Sequence, residues 1–305
     1  MKPITSFKEL IARLKKENNP KRIVVICGYD SHTEYALSRA FDEGIATAAL
    51  LVGDQERLSK LSIVQKYSSK LSIEDVKGVD EAAKRGVELI RQGKGDVLMK
   101  GVINTDNLLR AILNKEFGLL PKGRILTHLS VVEMPTYHKL LFFTDAAVIP
   151  RPEEKHFMAE IAYAIESCYR FGIEEPRVAL IHCTEKISEK FPHTINYQRI
   201  LERSRKGEFG KALIDGPMDV RTACEKESGE IKGIKSVIGG EADVLVFPNI
   251  ESGNCFYKAV SLFAKAEMAG TLQGTECPIV VTSRSDSGLS KYYSLALACL
   301  TAKGK

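Results

Sequence analysis

The sequence predicts an α/β fold in which the sheets are mostly parallel. Short, continuous apolar runs of the length of buried strands recur along all 305 residues. Longer segments with apolar residues at helical spacing separate most of them, and such alternation is typical of a wound parallel sheet. At roughly 150 residues per domain, the chain can form two domains or one large α/β unit. The absence of Trp and the 7% of aromatic residues disfavour an all-β sandwich.

The first half of the chain is predicted to open with a strand-helix-strand unit after an amphipathic, lysine-rich start. Residues 22–27 (RIVVIC) form an apolar run suited to a strand that is buried on both faces. Gly28 ends this run, and either Asp30 or Ser31 can cap the helix that follows. The further elements predicted in this half are a helix at 33–41, a strand at 46–52, a helix at 81–92, a strand at 96–100, a helix at 104–114, and strands at 124–132 and 139–148, antiparallel across a turn at Pro135.

A proline-rich segment follows at residues 149–152 (IPRP). Because proline lacks an amide donor and stiffens the backbone, this segment cannot continue a central strand and is predicted to be a hinge. The elements predicted beyond it are a helix at 153–171, a strand at 177–183, a mostly helical segment at 188–205, a strand at 211–215 ending at Gly216-Pro217, a strand at 243–247, a helix at 253–269, a strand at 278–282 and a closing helix at 286–301.

Composition and charge exclude several classes of function. The 44 Lys and Arg against 39 Asp and Glu give a net charge of +5 without a long run of like charge, so no nucleic-acid partner is expected. The longest uncharged stretch, residues 292–302, has about half of the roughly 20 residues that a membrane span requires, and no signal peptide is recognised. Seven scattered cysteines without a CxxC pair favour reduced thiols and a cytoplasmic location. The six histidines show no zinc-binding spacing, so no metal is expected.

Ligands of open parallel sheets bind beyond the carboxyl ends of the strands, so the loops that follow the apolar runs are where a site is expected. These loops are polar, yet none contains a Walker A motif or a GxGxxG that follows a strand. The loops are residues 28–32 (GYDSH), 100–105 (KGVINT), 215–219 (DGPMD), 248–254 (PNIESGN) and 283–287 (SRSDS).

The last of these loops carries the sharpest signal. Arg284, with the hydroxyls of Ser283, Ser285 and Ser287, lies where the last predicted strand meets the last predicted helix. Helix N-terminal amides favour an anion, and a guanidinium can grip phosphate with a planar fork. Serine and aspartate are also common helix caps, so the residues alone leave an anion site and a capping cluster both open.

Two further loops are candidate substrate-binding segments. Each places polar or basic side chains beside a glycine, close to the predicted start of a helix, and each could equally be a capped surface helix. The candidates are Asn249, Gly253, Asn254 and Lys258 in one loop, and Lys100, Gly101, Asn104 and Thr105 in the other. Cys255 is the best placed of the cysteines to act as a nucleophile, but no base is recognisable beside it.

Five motifs in the same order resemble the phosphate acetyl/butyryltransferase family over nearly the whole chain. They are Lys100-Gly101 with residues 105–109 (TDNLL), residues 145–152 (DAAVIPRP), 215–217 (DGP), 242–249 (ADVLVFPN) and 282–287 (TSRSDS). The last motif, followed by residues 291–294 (KYYS), looks more like the phosphate butyryltransferase branch than the acetyl branch.

The resemblance implies an isocitrate-dehydrogenase-like fold of two α/β domains with an interdomain cleft, usually in a homodimer or higher homo-oligomer. With the hinge, it predicts a first domain of residues 1–148 and 282–305 and a second of residues 149–281. The implied reaction is reversible transfer of a short acyl group, butyryl favoured, between coenzyme A and phosphate in a ternary complex. Coenzyme A is then a substrate, and no tightly bound cofactor is expected.

Three alternatives remain open at this point. The acyl group could be acetyl, since the two acyl chains differ by only a few methylenes of roughly 1 kcal/mol each. A protein that binds CoA or acyl phosphate without turnover is the non-enzymatic alternative. A dehydrogenase on the same architecture is the third, although no paired metal-binding aspartates are recognisable.

The resemblance also assigns residues. It implies active-site roles for Ser283 and Arg284, with the arginine binding CoA and substrate. The acetyl branch has a proposed base, an aspartate, six residues after this arginine, where this chain has Ser290. Asp286 is the substitute that proximity suggests.

Arg284→Ala is expected to lower turnover by about 100-fold or more, because the guanidinium would stabilise charge that grows on the phosphate and carbonyl oxygens. Arg284→Lys should recover only part, because a point charge replaces a bidentate fork. Steady-state kcat and KM of the folded variants measure this. A higher KM for CoA with an unchanged kcat would assign Arg284 to binding alone. Unchanged kinetics for every substrate would show that Arg284 is not part of the site.

Overall fold

The computed structural model describes residues 2–282 and 286–302, and the chain divides into two compact units. The first unit comprises Phe7–Leu126 and the chain from Met268 onward, and the second comprises Thr127–Glu267 with the residues before Phe7. The elements up to residue 126 are α1 (Phe7–Glu17), β1 (Lys21–Ile26), α2 (Ser31–Asp42), β2 (Ala46–Gly53), α3 (Gln55–Leu58), α4 (Ser62–Lys66), β3 (Leu71–Asp75), α5 (Val79–Arg91), β4 (Val97–Lys100) and α6 (Thr105–Ile112).

The rest of the chain forms the second unit and then returns to the first. The second unit contains β5 (Thr127–Glu133), β6 (Leu141–Thr144), α7 (Glu154–Arg170), β7 (Arg177–Ile181), α8 (Pro192–Arg205), β8 (Leu213–Met218), α9 (Val220–Cys224), α10 (Lys226–Ile231), β9 (Val244–Val246) and α11 (Ile250–Phe263). The closing elements are β10 (Glu267–Gln273), β11 (Ile279–Val280) and α12 (Gly288–Thr301).

In the first unit the strands lie in the order β3-β2-β1-β4-β11-β10. All neighbours are parallel except β10 and β11, so the predicted α/β class with a mostly parallel sheet is confirmed. The central strand β1 is buried on both faces, with Ile23 to Ile26 at most 1% exposed. The chain moves outward from β1 through β2 to β3 and then returns to β4 on the other side of β1. The strand order therefore reverses between β1 and β4, and a crevice opens at such a point.

In the second unit the order is β5-β6-β9-β7-β8. Strands β5 and β6 form the predicted antiparallel pair, and β6, β9, β7 and β8 run parallel. Strand β8 continues through Gly216-Pro217, where the sequence predicted its end. It can do so because β8 is at the edge of this unit's sheet, where a proline without an amide donor is tolerated.

A helix and an edge strand also differ from the sequence-based prediction. The helix predicted at 253–269 ends at Phe263, because Lys265 adopts a left-handed conformation with φ of 50°, and strand β10 follows within the predicted helix. The edge strand β3 was not predicted, since its half-exposed residues form no continuous apolar run.

The division into units also differs from the predicted boundaries at 148/149 and 281/282. Strand β6 pairs with β9, which fixes the β5–β6 hairpin in the second unit. Strand β10 pairs with β11, which in turn pairs with β4, so both belong to the first unit. Strand pairing rather than the proline-rich segment therefore sets the boundary. Over residues 2–282 and 286–302, no helix is both long and apolar enough to cross a lipid bilayer.

One carboxyl group of the second unit is deeply buried. Glu160 on α7 is 1% exposed, and within the described ranges neither of its carboxyl oxygens makes a hydrogen bond. Burial, together with the nearby charge of Asp145, raises the pKa of Glu160 well above its ordinary value. The folded state therefore binds this proton more tightly than the unfolded chain, in which a glutamate releases its proton above a pH of about 4.3.

Glu160→Gln is expected to stabilise the protein near neutral pH. Because the pKa of Glu160 is higher in the folded than in the unfolded state, this side chain stabilises the folded state below the unfolded pKa. As pH rises from there toward the folded pKa, the free energy of unfolding falls by about 1.4 kcal/mol per pH unit. Urea unfolding should therefore show the variant at least about 1 kcal/mol more stable than the wild type near pH 8, with a smaller difference near pH 5. Glu166→Gln, an exposed position on the same helix, is the control. A difference in stability of equal size at both pH values would contradict the raised pKa of Glu160 in the folded state.

Candidate active site

A cavity of about 180 Å³ lies in the first unit. Its lining comes from the loops after β1, β4 and β11 and from the first turns of α2 and α12, and consists of Asp30, Ser31, His32, Gly101, Val102, Thr282 and Lys291. The parallel strands β1, β4 and β11 end at the same edge of the sheet, and β1 and β4 flank the reversal of strand order. The cavity therefore lies where an open α/β sheet binds its ligand.

Asp30 and Lys291 form a buried ion pair in this lining. The ammonium nitrogen of Lys291 is 2.8 Å from Oδ1 of Asp30 and 2.9 Å from Oγ1 of Thr33. The side chains of Lys291 and Asp30 are 6% and 22% exposed. Asp30 is also the N-cap of α2 and accepts the amide hydrogen of Thr33. Burial acts to raise the pKa of Asp30, but the bonds from Lys291 and Thr33 and the lysine charge outweigh it and lower this pKa.

The loops after β1 and β4 approach each other at Gly101. A Cβ atom there would lie 2.1 Å from the carbonyl oxygen of Cys27 and 2.7 Å from Cα of Gly28, so only glycine fits. Lys100, the residue before it, is buried, and its ammonium lies 3.5 Å from the carbonyl oxygen of Gly101 and 3.4 Å from that of Thr282. The two predicted binding residues Lys100 and Gly101 thus hold the floor of the cavity together.

A hydrogen bond joins His32, in the first turn of α2, to Asp286, which lies just before α12. Nδ1 of His32 lies 2.8 Å from the backbone carbonyl oxygen of Asp286. Ser287 caps α12, and its Oγ accepts the amide hydrogen of Ser290 and donates to the Ser290 hydroxyl at 3.2 Å. At Ser287, the capping interpretation of the SRSDS loop is confirmed. Ser290, where the acetyl branch has its aspartate, is a buried hydroxyl engaged in that cap.

The remaining predicted residues fall into three groups. Ser283, Arg284 and Ser285 lie outside the described residues, between Thr282 and Asp286 of the first unit. Asn104 is the N-cap of α6 and Thr105 its first residue, and neither is part of the cavity lining. Asn249, Gly253, Asn254 and Lys258 belong to the second unit.

In the second unit, three of these four residues hold a loop in place. Asn249 caps α11 by accepting the amide hydrogen of Ser252 at 2.9 Å. Gly253 packs so tightly that a Cβ would lie 2.3 Å from the carbonyl oxygen of Asp145, and Nδ2 of Asn254 donates to the carbonyl of Ala146 at 3.0 Å. They fix the start of α11 against the loop after β6.

The buried side chain of Asp145 also stabilises the loop after β6, because it accepts hydrogen bonds from backbone amides. It is 1% exposed and accepts three backbone amide hydrogens, from His128, Ala147 and Val148, at 2.7 to 2.8 Å. Burial raises the pKa of Asp145, against the charge of His128 and these three bonds. Lys258 differs from its neighbours, because its exposed ammonium lies 5.1 Å from the ring centroid of Tyr257.

Sequence reasoning missed His32 and Lys291 as site residues and treated Asp30 only as a possible cap. For Lys291 a signal existed, because it is the only charged residue in the apolar sequence of α12 (GLSKYYSLALACLT) and charges are rarely buried without a partner. For His32 no spacing could point to a carbonyl that lies 254 residues away along the chain.

Three comparisons place the chain among known proteins. A sequence profile described as "Phosphate acetyl/butaryl transferase" matches residues 61–299. The phosphate butyryltransferase of Clostridium acetobutylicum is 35% identical over 303 residues, which is 99% of this chain and 100% of that protein. The phosphate acetyltransferase of Thermotoga maritima is 30% identical over 284 residues, 92% of this chain and 95% of that one.

A solved structure agrees with these similarities. The crystal structure of a branched-chain phosphotransacylase from Enterococcus faecalis V583 superposes with a TM-score of 0.80 at 28% identity and covers 92% of this chain and 99% of its own. The fold and the cavity at its strand reversal define an α/β enzyme, and these similarities define it as an acyltransferase. The chain belongs to the phosphate acetyl/butyryltransferase family, as the resemblance of its five motifs predicted.

Lys291→Met is expected to destabilise the protein by about 3 kcal/mol at neutral pH, because it leaves the carboxylate of Asp30 without its buried ammonium. Since the folded-state pKa of Asp30 is lowered, its contribution is present above the unfolded pKa of about 3.9 and is lost as pH falls through the folded pKa. The defect should therefore shrink in acid. Urea unfolding measures it, with Lys60→Met, at an exposed lysine of the same unit, as the control. A loss no larger than that of the control would contradict the role of this pair.

Proposed function

We propose that this chain catalyses the reversible transfer of a short acyl group, with butyryl favoured, between coenzyme A and inorganic phosphate. The observation that carries the proposal is the end-to-end similarity to a protein named phosphate butyryltransferase, at 35% identity over 99% of this chain. The cavity of the first unit supports it, since the N-terminus of α2 and the first turn of α12 both contribute to a lining suited to an anion.

The chemistry requires few protein groups. In one direction the CoA thiolate attacks the carbonyl carbon of the acyl phosphate, and in the other phosphate attacks the thioester. Negative charge then grows on the carbonyl oxygen and on the leaving group, where helix N-termini and a guanidinium can stabilise it. Direct displacement between two bound substrates needs no protein nucleophile, and holding both in line supplies much of the rate enhancement. Arg284 is two positions after the lining residue Thr282 in the sequence, and it is the residue proposed to hold phosphate or CoA.

The choice of acyl group is part of the proposal. Butyryl is favoured because residues 282–287, followed by 291–294, resemble the butyryl branch. In addition, the two clostridial relatives named phosphate butyryltransferase are 35% and 36% identical to this chain. Acetyl is the alternative, supported by the Thermotoga maritima relative at 30% identity. An acetyl group lacks two methylenes of butyryl, so at roughly 1 kcal/mol each the expected preference is about tenfold to 30-fold in kcat/KM.

We further propose a homodimer or higher homo-oligomer, with CoA as a substrate and no tightly bound cofactor. An exposed apolar helix supports the assembly: in α11 only Gly253 is buried, and Leu262 and Phe263 are 72% and 81% exposed. Apolar surface of this kind is typical of contacts between subunits. The seven free cysteines support a location in the reducing cytoplasm.

Purified protein is expected to release CoA thiol from butyryl-CoA only when phosphate is added. Initial rates with acetyl-, propionyl-, butyryl- and isobutyryl-CoA, followed with a thiol reagent, should be fastest for a four-carbon chain. Equal release without phosphate would indicate a thioesterase. Binding of CoA without turnover of any short acyl-CoA would favour the non-enzymatic alternative and overturn the proposed activity.

A further inference from the structure

The imidazole of His32 is held by one of its two nitrogens. Nδ1 lies 2.8 Å from the backbone carbonyl oxygen of Asp286, and because a carbonyl oxygen only accepts, Nδ1 must carry the hydrogen. In the neutral ring the other nitrogen, Nε2, then has a lone pair and no hydrogen. Within residues 2–282 and 286–302, Nε2 of His32 takes part in no hydrogen bond.

The ring is also within reach of a ligand. His32 is the second residue of α2, is exposed, and contributes to the lining of the 180 Å³ cavity. General-base catalysis needs an unprotonated nitrogen that a bound substrate can reach, and the bond from Nδ1 to a fixed acceptor leaves Nε2 of His32 as that nitrogen.

The other titratable groups of the lining are already engaged. Asp30 accepts bonds from Lys291 and Thr33, and those bonds lower its pKa and weaken it as a base. Lys291 is the cation of that pair. Ser290 is a neutral hydroxyl bound to Ser287, so the position that provides an aspartate in the acetyl branch provides no base in this chain.

We propose that His32 is the general base for the CoA thiol, an inference that rests on the proposed acyl transfer. Nε2 of His32 takes the thiol proton as the sulfur attacks the carbonyl carbon of the acyl phosphate. The carbon–sulfur bond forms, the bond from that carbon to the phosphate oxygen breaks with its electron pair leaving on phosphate, and the proton passes from the imidazolium to phosphate. In the opposite direction the imidazole takes the proton of the attacking phosphate, and the resulting imidazolium protonates the departing thiolate. Asp286 positions the ring through its backbone carbonyl.

The decisive variant is His32→Asn. The asparagine amide can still donate to the carbonyl of Asp286 but is too weakly basic to take the proton of a thiol. In the direction from acyl phosphate to acyl-CoA, kcat near neutral pH is expected to fall by about 100-fold or more, with little change in the KM for CoA. The deficit should shrink above a pH of about 8.5, where a free thiol ionises without help. His32→Gln, also unable to act as a base, is a second variant should the first not fold.

His138→Asn is the matched control, because His138 is 61% exposed, pairs with Glu241 and belongs to the second unit. Wild-type kinetics for His138→Asn with a pH-dependent loss for His32→Asn would support the proposal. Activity of His32→Asn within about threefold of the wild type, or a deficit that does not change with pH, would overturn it. So would a pH-dependent loss found in Asp286→Asn instead, since that variant keeps the backbone carbonyl and removes only a carboxylate. An inactive wild type would overturn the proposed function and with it this inference, whereas an active wild type with an equally active His32→Asn would overturn the inference alone.

Discussion

The buried ion pair between Lys291 and Asp30 is the interaction on which the first unit depends, because it joins residues 261 positions apart in the chain. Asp30 ends the loop after β1 and caps α2, while Lys291 lies in the first turns of the last helix. The pair therefore fixes two helix starts beside the same strand ends. An ammonium that is 6% exposed needs this carboxylate, and the carboxylate needs the ammonium to stay charged. The cavity lies directly beside the pair, so the packing that stabilises the unit also shapes the site.

Close backbone approach adds a second constraint at the reversal of strand order. Gly101 brings the loop after β4 against the carbonyl of Cys27, and Lys100 ties this loop to the strand end at Thr282. A side chain at position 101 would push the two loops apart. The close contact between these two loops therefore fixes Gly101 and Val102 in the lining of the cavity.

The second unit shows how polar residues at strand ends can be structural. Asn249 and Asn254 look like ligand-binding amides in the sequence, yet their side chains cap α11 and hold the loop after β6. Asp145 collects three amide hydrogens in the interior of the same loop. The ammonium of Lys258 lies 5.1 Å from the ring centroid of Tyr257, and Glu160 shows that this unit also tolerates a deeply buried carboxyl group with a raised pKa.

By itself, the sequence determined the α/β class, most of the strands and the family, because strands such as residues 22–27 are continuous apolar runs and the motifs are local strings of residues. It also pointed to the loop after β4, where Gly101 contributes to the lining of the cavity, and to Ser287 as a possible cap of the last helix. Only the tertiary structure decided that β10 is a strand, that the β5–β6 hairpin belongs to the second unit, and that His32, Asp30 and Lys291 share one cavity. The last two depend on partners far away in the chain, β9 for the hairpin and the carbonyl of Asp286 for His32. Local periodicity carries no information about such partners, because they are chosen by packing and by the need to pair buried charges.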